Sequence, residues 1–173
     1  MSAKIASLLE PYEWALTLLE TIPGVSRRIA EIIVAEVGVD MSVFPTAGHL
    51  SSWAGLCPGN NTSAGRVGSA ACRPGSPWLR QALVEAAWAA SRTKNSYLAV
   101  RHARLRARRG KLRAVIATGH TILVAVWHML SKQEPFNELG HDYYSNRNNP
   151  TTEAARLLKR LASLGMTVTI QQA

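Results

Sequence analysis

A serine set among small residues, with arginines on both sides, is the first candidate for chemistry. It lies in Gly55-Leu56-Cys57-Pro58-Gly59-Asn60-Asn61-Thr62-Ser63-Ala64-Gly65-Arg66, which continues through Gly68 to Arg73-Pro74-Gly75-Ser76-Pro77-Trp78-Leu79-Arg80. A serine oxygen can attack a phosphodiester when its surroundings stabilise the negative charge that develops. The arginines on either side, with backbone N–H groups of a glycine-rich turn, have the chemistry to do so. The same composition also makes an ordinary loop, because Gly, Ser and Asn form turns for their own reasons. Composition alone does not separate the two.

The charge around this stretch points to a polyanion. Between Asp40 and Glu134 the one acid is Glu85, against thirteen Lys or Arg, so the centre of the chain is about +12. The N-terminal end is mildly acidic, and residues 134–173 are neutral, with four acids against four Lys or Arg. The densest part is Arg101, Arg104, Arg106, Arg108, Arg109, Lys111 and Arg113, with His102 beside them. A solvated helix face normally mixes signs for i,i+4 pairing, and here no acid is at hand to pair. Like charges this dense repel unless a polyanion neutralises them, which makes the run a nucleic-acid backbone contact. Such contacts position a protein without reading sequence.

A second pattern, Leu19-x-x-Ile22-Pro23-Gly24-Val25-Ser26 followed by Ala30, Ile33 and Glu36-Val37-Gly38, is that of a helix-hairpin-helix. Gly24 permits the tight turn. The N–H groups at the turn and at the start of the next helix then point at a phosphate, with Arg27 and Arg28 adding charge. Ser26 stands where the hairpin usually has its second glycine. A plain helical hairpin that only packs has the same spacing.

The elements that must position these residues are nearly all helical. Apolar spacing predicts helix over residues 3–20, with Pro11 starting a second segment, then a turn at Ile22–Ser26 and a helix from Arg27 to Val37 that Ser26 caps and Gly38 ends. A short helix over 46–54 precedes a loop over 55–77. Helices follow over 78–93, 95–109 and 112–131, with Gly110 as a break. His120 and His128 fall in the last of these and read as core histidines, since i,i+8 is not a local ligand spacing. A polar connector, HDYYSNRNNP, leads to a helix over 153–164 capped by Thr151 or Thr152, and Met166–Ile170 reads as a short strand. The expectation is a mainly α protein: a unit over 1–134 holding the hairpin and the serine loop, and a tail over 135–173.

Length and composition narrow the class further. At 173 residues, with 47% hydrophobic residues, the chain can bury a core, and a net charge of +9 with a pI near 10.3 suits a polyanionic partner. Glu10, Glu13 and Glu20 make the N-terminus unlike a secretory signal. The apolar stretch Ala114–Leu130 is short for a bilayer and contains two histidines, so a core helix is expected and no membrane partner. Cys57 and Cys72 belong to no CxxC or Cys/His set, which suggests free thiols, a cytoplasmic setting and no zinc.

The order IPGVS, FPTAGHLSSWAGLCPGNNTSAGR, PGSPWLRQALVEAAWAA, the arginine-rich run and ATGHTILVAVWHML closely resembles the C-terminal "Tnp", or transposase-twenty, domain of the insertion-sequence one-ten family. These are the DEDD/serine bridge recombinases of mobile elements. The ending EPFNELGHDYYSNRN…LLKRLASLGMTVTI is similar to the tail of many of them. The resemblance implies that Ser63 is a nucleophile forming a phosphoserine link to DNA. It also implies that Arg66, Arg73 and Arg80 lie near DNA, and that the basic helix contacts DNA or a structured guide (bridge) RNA. It implies dimers that pair into tetramers in a bacterial or archaeal cytoplasm.

The family's metal-binding acids sit in an N-terminal RNase-H-like domain, so this chain is expected to hold no cofactor, Mg2+ belonging to that domain. The chain is then expected to keep its nucleophile and DNA affinity with little recombinase activity alone. Pro74 stands where the family commonly carries a lysine, which removes a charge and stiffens the turn. Two alternatives remain open at this stage: a non-enzymatic helix-hairpin-helix DNA-binding protein, and a decayed transposase fragment.

Overall fold

Three of the helices start where a hydroxyl side chain caps them. A computed structural model describes residues 7–57, 62–63, 66–67, 72, 74–147 and 150–166. A single 3-10 turn at Glu10–Tyr12 leads into α1 (Glu13–Glu20), then α2 (Arg27–Val37), a 3-10 turn at Met41–Val43 whose Ser42 N–H is capped by Asp40, and α3 (Ala47–Trp53). The short strands β1 (Thr62–Ser63) and β2 (Arg66–Val67) follow. Next come α4 (Pro77–Ala90), α5 (Tyr97–Arg109), α6 (Lys111–Lys132), α7 (Tyr143–Arg147) and α8 (Pro150–Ser163). Thr46, Ser76 and Ser96 accept hydrogen bonds from the N–H groups three residues on and so start α3, α4 and α5. Gly110, at φ 82°, ends α5 and opens α6.

The protein is mainly helical, as composition and periodicity predict. Helix α6 is the centre: α1, α3, α4 and α5 all pack on it, and α2 packs on α1 and α4. By length and composition α6 is apolar enough to cross a membrane, and here its Val115, Ile122, Leu123 and Val126 are buried in the core instead. Helix α4 answers with Leu79, Ala82, Leu83, Ala86, Ala87 and Ala90, a stripe at helical spacing whose alanines let the helices approach closely. Each fully buried leucine, Leu83 among them, contributes about 1.5–3 kcal/mol. The polar pair in this core is satisfied, His102 Nδ1 lying 3.1 Å from Thr118 Oγ1 while Thr118 donates to the Ala114 carbonyl.

Four local expectations need correction. Within the stretch 55–77, read as loop, an antiparallel pair forms with Thr62 opposite Val67 and Ser63 opposite Arg66. His128 is exposed, edge-on to Trp127 at 4.9 Å, and is not a core residue; His120, one face round, is half-buried. The connector contains α7, because Tyr143 and Tyr144 pack on Tyr97 at 5.1 and 5.8 Å and Asn146 donates to Asp142 (2.7 Å) across the first turn. Helix α8 starts at Pro150, ahead of the threonines, where the missing N–H is no loss. Residues 167–170 of the expected strand lie outside the described residues.

The start of the tail is tied to the helical body. Phe136 N donates to Thr21 Oγ1 (2.9 Å), and the Glu138 carboxylate accepts from Tyr97 N (2.6 Å) at the start of α5. That carboxylate sits at the positive end of the helix, where it is favoured.

Candidate nucleic-acid interface and serine hairpin

The described chain on either side of the Ser63 strand pair is fixed to the helices. On the incoming side Arg80 donates to the Gly55 carbonyl, just past α3. On the outgoing side Ser76 does two jobs, capping α4 at Leu79 N (3.2 Å) and donating to Glu36 Oε2 on α2 (2.7 Å). Gly75 lies against the end of α3 so closely that a Cβ there would meet the Ala54 carbonyl oxygen at 2.3 Å. Gly75 is therefore a position that only glycine fits. Ser63 and Arg66 are directly opposed across the strand pair. Arg73 lies outside the described residues.

Glu85 is exposed and takes a hydrogen bond from Gln81 Nε2 at 3.2 Å, one turn earlier. Cys57 and Cys72 flank the hairpin as half-buried free thiols. Burial, and then the neighbouring Cys72, push the Cys57 thiol up.

The α1–α2 turn has the backbone the sequence implies and a charge it does not. Gly24 adopts φ 90°, which favours glycine. It is also pressed on the last turn of α4, where a Cβ would lie 2.4 Å from Ala90 N and 2.5 Å from the Ala86 carbonyl oxygen. Ser26 occupies the N-cap position of α2, but its side chain makes no cap bond. Arg27 is held by three carboxylates: both Glu13 oxygens, one of them at 2.7 Å, Glu20 at 3.5 Å and Glu31 at 3.5 Å. The hydrogen bonds from Arg27 hold the Glu13 carboxyl below its usual range, and the same bonds raise Arg27 in turn. With Arg28 exposed beside them, two guanidiniums face three carboxylates.

The α5–α6 junction is the opposite case. Arg101 is half-buried, donating through Nε to Thr121 Oγ1 (3.0 Å) and through Nη1 to Tyr144 (3.4 Å). Arg104 lies over the Tyr144 ring at 4.4 Å, and Lys111 over Trp88 at 5.0 Å. Arg106, Arg108, Arg109 and Arg113 are exposed. Among the described residues none of these cations has a carboxylate within ion-pair distance. The C-terminal dipole of α5 and the N-terminal dipole of α6 meet at Gly110 and largely offset each other, so the side-chain charge stands uncancelled. Burial, and then Arg106, hold the buried His102 below the usual histidine range, so it adds no charge to this face at neutral pH. The sequence signal for this patch was the run itself; of the carboxylates around Arg27 only Glu31, at i,i+4, left one, because Glu13 and Glu20 belong to a different helix.

The described residues thus combine a strand pair bearing Ser63 with a helical body whose α5–α6 face is basic and without ion-pair partners. Comparison with known proteins identifies the family: the model of the Transposase IS116/IS110/IS902 family matches residues 16–103, and the chain belongs to that family. It is also similar to the "Insertion element IS110 uncharacterized 43.6 kDa protein" of Streptomyces coelicolor, with 38% identity over 90 residues. That alignment covers 51% of this chain and 22% of the relative.

Proposed function

We propose that this chain is the DNA-facing, serine-bearing part of a transposase that cleaves and rejoins DNA through a phosphoserine intermediate. The Ser63 oxygen attacks phosphorus, forming the Ser–O–P bond as the bond to one sugar oxygen breaks. The hydroxyl proton leaves with the attack, and the departing strand ends as an alcohol. A second strand's hydroxyl reverses the step and frees the serine. Arg66, Arg73 and Arg80 belong to the surroundings of that phosphate, Arg80 by fixing the hairpin stem. The basic face over Arg104–Arg113 holds the DNA backbone, or the phosphates of a structured guide RNA. Gly24, Ser26, Arg27 and Arg28 form a helix-hairpin-helix whose turn is a lesser contact, since carboxylates surround Arg27.

Mg2+ is a poor fit to the described residues. Among the described residues no group of three acids, histidines or cysteines could hold a metal, and the Glu13, Glu20 and Glu31 carboxylates already surround a guanidinium. The carboxylates for such an ion come from a separate RNase-H-like domain, so the chain alone cleaves little or nothing. Its setting is the bacterial or archaeal cytoplasm, and the working form is a dimer or tetramer.

The observation that carries this reading is the reach of the family match, which takes in the stem, the Ser63 hairpin and the start of the basic helix. The test is a covalent protein–DNA adduct trapped on a nicked substrate, with the acid-bearing domain supplied in trans. An adduct at Ser63 that Ser63→Ala abolishes supports the reading. Salt-sensitive DNA binding without any adduct leaves the alternative, a non-enzymatic DNA-binding protein.

A further inference from the structure

The two cysteines of this chain stand at matching positions on the two arms of the Ser63 strand pair. The arms meet twice. Near the helices, Gly75 rests on the backbone of Ala54 and Gly55, so closely that no Cβ fits between them. Further out, Thr62 pairs with Val67 and Ser63 with Arg66. Both contacts keep one register, since seven residues separate them on each arm, 55–61 and 68–74. Cys57 lies three residues past Ala54, and Cys72 three before Gly75, so the two share a level of that register. Both thiols are free and half-buried, and the charge of Cys72 is near enough to act on Cys57. Residues opposed at strand spacing have Cα atoms about 4.5–5.5 Å apart. A disulfide spans about 4.4–6.8 Å.

We propose that Cys57 and Cys72 are a redox pair, which a small disulfide such as oxidised glutathione converts to an intramolecular disulfide closing a ring around Ser63. The thiolate of one cysteine attacks a glutathione sulfur, the S–S bond breaks, and one glutathione leaves as thiolate and takes up a proton. The second cysteine loses its proton and attacks the protein sulfur of the mixed disulfide, and the second glutathione leaves. Two protein thiols are oxidised, and one glutathione disulfide is reduced to two thiols. Reduced glutathione reverses both steps. A metal suits the pair less well, because among the described residues no third histidine, cysteine or acid joins them. In a reducing compartment such a bond is transient and sensing rather than structural. Burial, and then the neighbouring Cys72, keep Cys57 protonated at neutral pH, so the exchange quickens as pH rises. The ring takes in Ser63 and Arg66 and so restrains the serine. Any effect on cleavage rests on the proposed function; the disulfide itself does not.

The experiment equilibrates the full chain with mixtures of reduced and oxidised glutathione at mildly alkaline pH, quenches with acid and reads the products by intact mass. The chain has two cysteines, so a monomer that has lost two hydrogens holds this disulfide. The expected result is that species, with an equilibrium constant at least about tenfold above that of the same chain in concentrated guanidinium chloride, because the folded register brings the thiols together. Cys57→Ser and Cys72→Ser each gain one glutathione and form no ring. Folded chains that gain two glutathiones, that cross-link to one another, or whose ring forms no better than in denaturant overturn the inference. The Ser63 adduct is read separately. An adduct from a chain that forms no ring contradicts this inference alone, and a ring without an adduct contradicts only the proposed function.

Discussion

The α1–α2 turn and the α5–α6 junction are both arginine-bearing helix ends, and they put their charge to different use. At the turn, Arg27 sits among Glu13, Glu20 and Glu31, drawn from two helices, and works as a tie between them. At the junction, Arg104, Arg106, Arg108, Arg109, Lys111 and Arg113 have aromatic rings or solvent as neighbours and no carboxylate among the described residues. A count of arginines rates both as phosphate sites. The three-dimensional tally of opposite charge separates a tie from a basic face left without carboxylate partners.

The largest effect is expected from removing the charge at the junction. Replacing Arg108, Arg109 and Lys111 together by Gln lowers duplex affinity by about two to three orders of magnitude near 0.1 M salt, measured by fluorescence anisotropy, if each makes one phosphate contact. An affinity within threefold of the parent would move the DNA to another face. Gly24→Ala comes next and acts on the fold. Its Cβ has no room beside Ala90, and φ 90° is strained for alanine. A loss of about 3 kcal/mol in denaturant unfolding is expected, with a far smaller change in the DNA affinity of the folded fraction than the junction variant shows, since the turn is the lesser contact.

The third effect is on pH dependence. Burial and Arg106 hold His102 below its ordinary value, and burial and Arg101 do the same for His120. The unfolded chain therefore binds more protons in the window below about pH 6.5, and stability falls as pH drops through it. Thermal melts from pH 7.5 to 5 should show that decline, and His102→Gln should flatten it. The smallest effect is that of Arg27→Gln. It leaves the salt dependence of DNA binding unaltered and removes only an acid-limb term, since the tie to Glu13 is present above the ordinary glutamate range and is lost as pH falls below it. Melting curves between pH 5 and 3 for the parent and this variant check the sign.

Much of this architecture could be read from the sequence, and the reasons are local. Ser76-Pro77 and Ser96 announce α4 and α5, Gly110 announces the break, and the alanines of α4 announce close packing. The site was legible only as residue types. That Gly24 presses on Ala90 joins positions 66 apart, and that Ser76 is fastened to Glu36 joins positions 40 apart. Neither leaves a mark at helical spacing. The helix α7 was hidden for the same reason: its tyrosines are polar by composition and become helical through their contacts with Tyr97.

The two arginine-bearing ends can be set against each other with equal charge removed from each. Duplex binding would be measured across salt concentrations for Arg27→Gln/Arg28→Gln and for Arg108→Gln/Arg109→Gln. The junction pair should reduce the slope of log affinity against log salt by about 1.8, roughly 0.9 for each lost phosphate contact, and the turn pair should leave it nearly as it is. Equal reductions from both pairs would mean that the carboxylates around Arg27 do not withhold it from DNA.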